Sequence, residues 1–344
     1  MTSVALFNNK GGVGKTTLTY HLAHMLQRLG HRVLAVDLDP QSNLTAQFLD
    51  EEDLAELWHE PQSPAWPDST PRQAKLVGPV SSTTGTIATA VAPIREGLGD
   101  IDTPAPIEIT DGLWLLPGDL ELSAFEDKLS ETWPKCFTGD KAALRTTTAF
   151  HRIIDAARTT VEANLVLIDV GPNLGAINRA ALLSADTVLT PLAADLFSLR
   201  GLHNLGPTLR SWRGTWQDIV LPNVPKSIAA PPGIMQPLGY VIMQPIMRLD
   251  RPVRAYRRWL DRIPAVYSSA VLGEPGEAAD SSYEVATLKN YQSLMPLAHD
   301  ARKPMFDLRS ADGALGSTQT YVQKCYQDFQ TLARKLLDRL EATE

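Results

Sequence analysis

Asn8-Asn9-Lys10-Gly11-Gly12-Val13-Gly14-Lys15-Thr16-Thr17 stands between two apolar patterns of different period. The run before it, Val4-Ala5-Leu6-Phe7, reads as a buried strand. After it, Leu18, Leu22, Met25, Leu26 and Leu29 recur as one face of a helix that stops at Gly30. Strand, glycine loop and helix are the setting that a phosphate-binding loop requires. Glycines let successive backbone N–H groups turn inward around an anion without Cβ clashes, and the helix N-terminus adds unpaired donors and a positive dipole end. On this reading Gly11, Gly12, Val13, Gly14, Lys15, Thr16 and Thr17 hold the phosphates. Lys15 reaches the terminal ones, and the Thr16 hydroxyl ligates an accompanying Mg²⁺.

The general pattern G-x-x-x-x-G-K-[ST] is missed at Asn9, which stands in place of the first glycine. The stretch instead matches K-G-G-x-G-K-T-T, with a second lysine, Lys10, inside the loop. That variant resembles the deviant Walker A loop of the ParA/MinD family of P-loop ATPases. The resemblance implies that Lys10 crosses a dimer interface to the phosphates held by the other subunit, so that ATP joins two monomers.

Downstream, Arg32-Val33-Leu34-Ala35-Val36-Asp37 reads as a second buried strand, ending in Asp37-Leu38-Asp39-Pro40-Gln41-Ser42-Asn43. A right-handed βαβ crossover puts both strand ends on one edge of a parallel sheet, which brings Asp39 beside the loop. D-x-D-P-Q is the family's second signature. It implies that Asp39 orients the attacking water and that Asp37 joins Thr16 and Asp169 around the metal. Gln41 and Asn43 stand close enough in sequence to contact nucleotide or partner. Leu165-Val166-Leu167-Ile168-Asp169-Val170-Gly171-Pro172 has the Walker B form, with Asp169 holding Mg²⁺ through water. The family usually reads D-x-P-P here, whereas this chain has Gly171 in place of the first proline. A backbone N–H is thereby restored, and the expectation is that it approaches the γ-phosphate and reports its loss.

Further similarity lies in Asn178 to Pro191 and in Phe197-Ser198-Leu199-Arg200-Gly201-Leu202, segments that flank the family's ATP-dependent dimer surface. In all, the resemblance covers residues 3–50, 109–130 and 164–205 well and the last third loosely. It implies a three-layer α/β P-loop domain over 1–344, with a mostly parallel sheet, helices on both faces and inserted loops. ATP as the base-bearing ligand follows from the family, since no N-K-x-D element is present. The usual base-pocket residues are not recognisable between Asn290 and Phe306.

Bulk properties fit this reading. The 344 residues are 44% hydrophobic and 21% charged, enough for a sizeable core, and the net charge of −7 argues against a wholly basic nucleic-acid binder. Cys136 and Cys325 lie far apart with no metal-type spacing, so a reduced, cytoplasmic protein is expected. No apolar run reaches a membrane span, the loop begins too early for a signal peptide, and the acidic end Leu340-Glu341-Ala342-Thr343-Glu344 disfavours a lipid anchor. Residues 58–84, rich in Pro and small polar residues, and 131–148 read as inserts. A helix carrying Ile87, Val91 and Ile94, a hairpin-like turn around Gly112, helices over 120–130 and 150–163, and a strand at Leu238–Met243 complete the order. Thr318 to Leu340 carries Val322, Cys325, Phe329, Leu332, Leu336 and Leu340 as a core-facing stripe.

Between 248 and 262 lies the most basic window. Arg251, Arg254, Arg258 and Arg262 fall at helical spacing, with Pro252 suited to a first turn. Nonspecific DNA contact by several phosphate pairs fits this stripe, and so does a solvated face with Asp250 and Asp261 as counter-charges. The function expected from the resemblance is an ATP-dependent dimerisation switch with slow Mg²⁺-dependent hydrolysis. It acts in DNA partition or cargo positioning and is stimulated by an adaptor protein. The alternative is a signalling or defence scaffold that uses the same switch without moving DNA. An iron-protein relative is disfavoured because Asp169 to Gly175 contains no cysteine, and no substrate-site signature for an amide ligase is present.

Overall fold

The computed structural model describes residues 2–58, 85–243, 247–248, 251–252, 254–274, 281–289, 291 and 293–342. In chain order, β1 (Thr2–Leu6) leads through the glycine loop to α1 (Lys15–Arg28), then β2 (Val33–Leu38), α2 (Asn43–Phe48) and α3 (Glu51–Leu57). Next come α4 (Ile87–Glu96), the pair β3 (Ile107–Thr110) and β4 (Leu113–Leu116), α5 (Phe125–Cys136), α6 (Lys141–Thr147) and α7 (Ala149–Thr160). Then follow β5 (Leu165–Val170), α8 (Ala176–Leu183), β6 (Thr187–Ala193) and α9 (Leu196–Gly214). The last third contains β7 (Gln236–Met243), β8 (Met247–Arg248), β9 (Arg251–Pro252), α10 (Arg254–Leu260), α11 (Ile263–Val266), β10 (Glu284–Leu288), α12 (Met295–Ala301) and α13 (Ser317–Glu341).

Among the described residues, eight strands form one sheet in the order β10-β7-β6-β1-β5-β2-β4-β3. Every neighbouring pair in it is parallel except β3 with β4. Strand β5 separates β1 from β2. The strands are apolar almost throughout because both faces are covered, as the parallel pairing demands. Alternate side chains feed two cores. Phe7, Val36, Ile168 and Tyr240 pack with α4, α5, α7, α8 and α9 on one face. Leu6, Ala35, Leu167 and Val241 pack with α1, α12 and α13 on the other. The three-layer architecture expected from the sequence is the observed one. On α13 the six stripe residues are all buried, each apolar side chain contributing about 1.5–3 kcal/mol of burial energy.

Local signals account for some helix starts, those of α3, α4, α6 and α9. Thr86 accepts from Thr89 N and closes a capping box on α4, and Asp140 caps α6. The expected helix 120–130 opens as a 3₁₀ turn, Leu120–Ala124, and continues as α5 to Cys136. Residues 131–148 are therefore helical and packed, with Thr132, Cys136, Ala143 and Leu144 buried. Of the 58–84 stretch, only Trp58 lies within the described residues. No helix among them is long and apolar enough to cross a membrane.

One sequence expectation fails at the basic window. Arg251 sits in β9, paired with Arg248 of β8, and α10 spans only Arg254–Leu260, so the four arginines do not form one helical stripe. The cause is Pro252: its ring disfavours helical backbone at the preceding residue and drives Arg251 into extended conformation. Arg262 lies past the end of α10 and opens α11.

Candidate functional site

The loop is anchored before it turns. Asn8, buried at the end of β1, donates from Nδ2 to Pro191 O (2.7 Å) and accepts from Lys10 N at Oδ1 (3.0 Å). Gly12 and Gly14 then adopt φ of +71° and +87°, a left-handed geometry that other residues reach only with strain. Gly14 is the N-cap of α1 and brings no side-chain cap, so the first-turn N–H groups face the loop unsatisfied. Gly11 lies against Pro172, and Val13 is buried. Thr17 lines a cavity of about 120 Å³ whose far wall includes Met295, Ala298 and Met305. Residues 295–305 thus stand beside the first turn of α1.

Sheet register assembles the acidic residues. Asp169 pairs with Leu6 of β1 on one side and with Asp37 of β2 on the other, so two buried carboxylates meet at one sheet edge. Thr16 Oγ1 donates to Asp169 Oδ2 at 2.7 Å, and Thr19 Oγ1 to Oδ1 at 3.4 Å. Asp37 Oδ2 accepts from Thr45 N (2.8 Å) and Thr45 Oγ1 (2.7 Å), while its Oδ1 accepts from Asp39 N (3.2 Å). Gly118 N donates to the same Thr45 hydroxyl at 2.8 Å. A Cβ on Gly118 would stand 3.0 Å from Asp37 Cγ, so the Leu-Pro-Gly turn after β4 closes against this carboxylate. Asp39 is buried and accepts from Gln41 N at 3.0 Å.

These contacts set the electrostatics. Burial pushes Asp37 up to about 7, with the Thr45 bonds opposing and the Asp39 charge adding to the rise. Asp169 is pushed up to about 8 by burial and then by Asp37, against the Thr16 hydrogen bond and the Lys15 ammonium. Lys15 is itself held below its ordinary range by burial, opposed by Asp169 and Asp39. Three carboxylates against one ammonium is a deficit that a divalent cation would offset, and the Thr16 hydroxyl and carboxylate oxygens are hard donors suited to Mg²⁺. Among the described residues no cluster of three or more acidic, His or Cys ligands is placed to hold a metal alone. An ion bound here would need further ligands from outside the chain. Among the described residues, buried oxygens at Asn9 Oδ1, Ser42 Oγ and Asn178 Oδ1 have no hydrogen-bond partner, which leaves polar capacity around the loop for a ligand.

Gly171 belongs to this cluster. A Cβ at 171 would lie 3.3 Å from Asp39 Oδ1, and its carbonyl accepts from Asn178 Nδ2 at 2.8 Å. Behind it, Glu126 of α5 accepts from Ala176 N (2.6 Å) and Ile177 N (2.8 Å), capping α8 from a distant element. Thr45, Gly118, Glu126 and Asn178 were not singled out in the sequence as site residues.

Lys10 lies outside the cradle. Its Nζ contacts the Asp195 carboxylate of the same chain, 6.0 Å from the centroid of the Phe197 ring. Phe197 is 67% exposed, and Leu196 beside it is partly exposed. Of the arginines, Arg258 stacks on Trp259 at 4.6 Å and is exposed, as is Arg257. Arg262 lies 5.8 Å from the same ring, and the side chains of Arg251 and Arg254 lie outside the described residues. A larger cleft, about 740 Å³, opens at the far end of α1 around Arg28, Arg309 and Tyr326 and shares no residue with the cradle.

Comparison with known proteins adds three findings. A family model described as "AAA domain" matches residues 1–220. The chromosome partitioning protein ParA of Caulobacter vibrioides is 28% identical over 212 residues, 62% of this chain and 63% of that protein, so the match leaves over a third of each chain outside it. The chromosome-partitioning ATPase Soj of Thermus thermophilus is 30% identical over 210 residues, 61% of this chain and 62% of that one. A crystal structure of protein DIP2308 from Corynebacterium diphtheriae shares the fold over the full length of both chains, with a TM-score of 0.70 at 24% identity.

Proposed function

From the membership of this chain in the ParA/MinD family of P-loop ATPases, we propose that it is an ATP-dependent dimerisation switch with slow, Mg²⁺-dependent hydrolysis that acts in partition of DNA or positioning of cargo. One observation carries the reading. Lys15, Thr16, Asp39 and Asp169 converge on a left-handed glycine turn, while Lys10 is left outside on the surface.

In this reading the loop N–H groups and Lys15 bind the triphosphate, and Thr16 and Asp169 hold the ion, with Asp37 behind them through water. Bound there, Mg²⁺ supplies charge neutralisation at the phosphates. Asp39 accepts a hydrogen bond from a water in line with the γ-phosphorus. The water oxygen forms the new P–O bond, the bond to the ADP oxygen breaks, and the water's proton leaves through the carboxylate to solvent. Gly171 keeps room for that carboxylate and offers its N–H toward the terminal phosphate. Lys10 of each copy completes the other's site. The partition names of the relatives support a DNA-linked output, for which exposed Arg257 and Arg258 on α10 are the phosphate contacts proposed, with Arg262 beside them. An adaptor protein that stimulates turnover and a cytoplasmic setting belong to the same proposal.

Sedimentation in Mg²⁺ with a non-hydrolysable ATP analogue tests it. The wild type should move from monomer to dimer, and Lys10→Ala should bind the analogue and remain monomeric. A wild type that stays monomeric at saturating analogue overturns the switch.

A further inference from the structure

The cleft of about 740 Å³ lies where the C-terminal end of α1, the segment leading out of α12 and the first half of α13 meet. Its volume falls in the range of small-molecule sites, about 300–1,000 Å³. Phe306, Leu308 and Val322 are buried in its lining, so the floor is apolar and already packed. One wall is a row of carboxamides. Gln319, Gln323 and Gln327 recur at every fourth position of α13, about 6 Å apart along the axis, and each offers an acceptor oxygen and two N–H donors. Gln319 Oε1 is buried and has no hydrogen-bond partner among the described residues. An unpaired acceptor is a cost that a donor brought by a ligand removes, and the broad last torsion of the amide lets the oxygen turn to meet it. Tyr326, beside the row, accepts from Gln330 Nε2 at 3.3 Å and keeps its own proton to donate. The facing wall is cationic. Arg28 is engaged by Asp307 and lies over the Phe306 ring at 5.3 Å, and Lys303 Nζ donates to both oxygens of Asp312 (2.8 and 3.1 Å). Arg309 is exposed, and its guanidinium makes no ion pair among the described residues. Its planar fork suits bidentate contact with a phosphate.

We propose that this cleft is a second ligand site, for a small phosphate monoester that carries hydroxyl groups, of the sugar-phosphate class. Arg309 takes the phosphate, and Arg28 and Lys303 add positive potential behind it. The carboxamide row and the Tyr326 hydroxyl take the ligand's hydroxyls. A bare anion would satisfy Arg309 and leave Gln319 unpaired, and a neutral polyol would do the reverse. Phosphate and hydroxyls are therefore needed in one molecule. The site stands at the opposite end of α1 from the glycine loop, a helix of 14 residues and thus about 21 Å, and it does not rest on the switch reading.

Arginine modification reads this wall without interference from phosphate bound at the cradle. Arg309 reacts with phenylglyoxal at a rate followed by peptide mass spectrometry, and Arg257, exposed on α10, is the control in the same digest. The probe is ribose 5-phosphate, with ribose and inorganic phosphate as its two halves at matched ionic strength. Ribose 5-phosphate should slow modification of Arg309 and leave Arg257 unchanged, and ribose should protect neither. Its half-protecting concentration should lie roughly tenfold below that of inorganic phosphate, as two added hydrogen bonds supply. Gln319→Leu should raise that concentration about 2- to 10-fold and leave the value for inorganic phosphate where it was. Gln323→Ala, on the same ridge, should act in the same direction. No protection of Arg309 by ribose 5-phosphate overturns the site. Equal protection by inorganic phosphate, unmoved by both variants, reduces the wall to general attraction of anions and overturns it too. Protection by a short DNA duplex at lower concentration than by ribose 5-phosphate makes the wall a nucleic-acid contact and overturns the small-ligand assignment.

Discussion

Gly171→Ala is a small substitution with a calculable reach. The added Cβ would sit 3.3 Å from Asp39 Oδ1, inside ordinary van der Waals contact, so the carboxylate must retreat by a few tenths of an ångström. A 1 Å misplacement of a reacting group costs about 10²-fold in rate, so a shift of roughly 0.3–0.5 Å should cost about 4- to 10-fold, or about 0.8–1.4 kcal/mol of barrier. Nucleotide affinity should hold within about twofold, because the cradle and Lys15 are untouched. Single-turnover phosphate release, with analogue affinity measured separately, reads both quantities. Gly171→Pro carries the same Cβ and lacks the N–H. Equal losses in the two variants assign the effect to Asp39, and a larger loss in the proline variant assigns the remainder to the N–H. Hydrolysis at the wild-type rate in Gly171→Ala would refute the placement of Asp39 as the group that orients water.

The other expectations are thermodynamic. Gly206 in α9 faces the π-helical segment Tyr267–Leu272 that follows α11 so closely that a Cβ would fall 1.9 Å from Ala270 O. Gly206→Ala should therefore destabilise by about 2 kcal/mol or more, read from the urea midpoint, and a loss under about 0.5 kcal/mol would contradict the crossing. His21 donates from Nδ1 to Thr17 O (2.7 Å) and accepts Met305 N at Nε2 (3.0 Å), and burial lowers its pKa to about 4. With the folded value below the unfolded one, the unfolded chain binds more protons, so the His21 share of stability, about 3 kcal/mol, is lost as pH drops from about 6.5 to 4. Neighbouring His24, pushed down to about 3, extends the acid loss further, and His21→Gln should make the fall in urea midpoint over this window shallower without abolishing it. Asp37 and Asp169 carry raised values of about 7 and about 8, so the nucleotide-free protein loses stability as pH climbs from the unfolded carboxylate range through those values. Binding of Mg²⁺ with nucleotide should then release protons near pH 7, seen as a buffer-dependent heat in titration calorimetry, and a buffer-independent heat would count against the shifts.

What was legible in the sequence was local. The cradle is a single covalent stretch, and Asp169 ends an apolar run of strand length. The α13 stripe repeats with helical period, and all six stripe residues are buried. What was not legible depends on partners far along the chain. Glu126 caps a helix that begins 50 residues later, and Thr45 finds Gly118 across 73 residues. Neither pairing leaves a periodic trace, because a hydrogen bond needs one suitable atom at each end and imposes no pattern between them. The arginine stripe was misread for the opposite reason: spacing alone suggested a helix, and the restriction that Pro252 places on Arg251 decided the local conformation. The sequence also put β1 and β2 on one edge without revealing that β5 runs between them.

That intervening strand explains why the site is built as it is. With β5 between β1 and β2, residue 169 must share a level with both the start of the glycine loop and residue 37. Placing aspartate at 37 and 169 thus forces two buried carboxylates side by side, a cost that packing alone would avoid. The chain limits this cost with Thr45 and the Asp39 N–H on Asp37 and with Thr16 and Lys15 on Asp169. It does not remove it, since leucine or asparagine at either position would pack more comfortably. A fold optimised only for stability would not keep the pair. Two carboxylates retained at the one sheet edge where a glycine loop and an uncapped helix end gather positive potential make sense as a device that reaches its favourable state only with a cation and phosphates in place. The same logic extends to Lys10, whose charge is satisfied by Asp195 rather than by the cradle it follows. Negative charge at the sheet edge and the Lys10 charge at the surface are kept apart within one copy, and in the proposed switch nucleotide and a second copy bring them together.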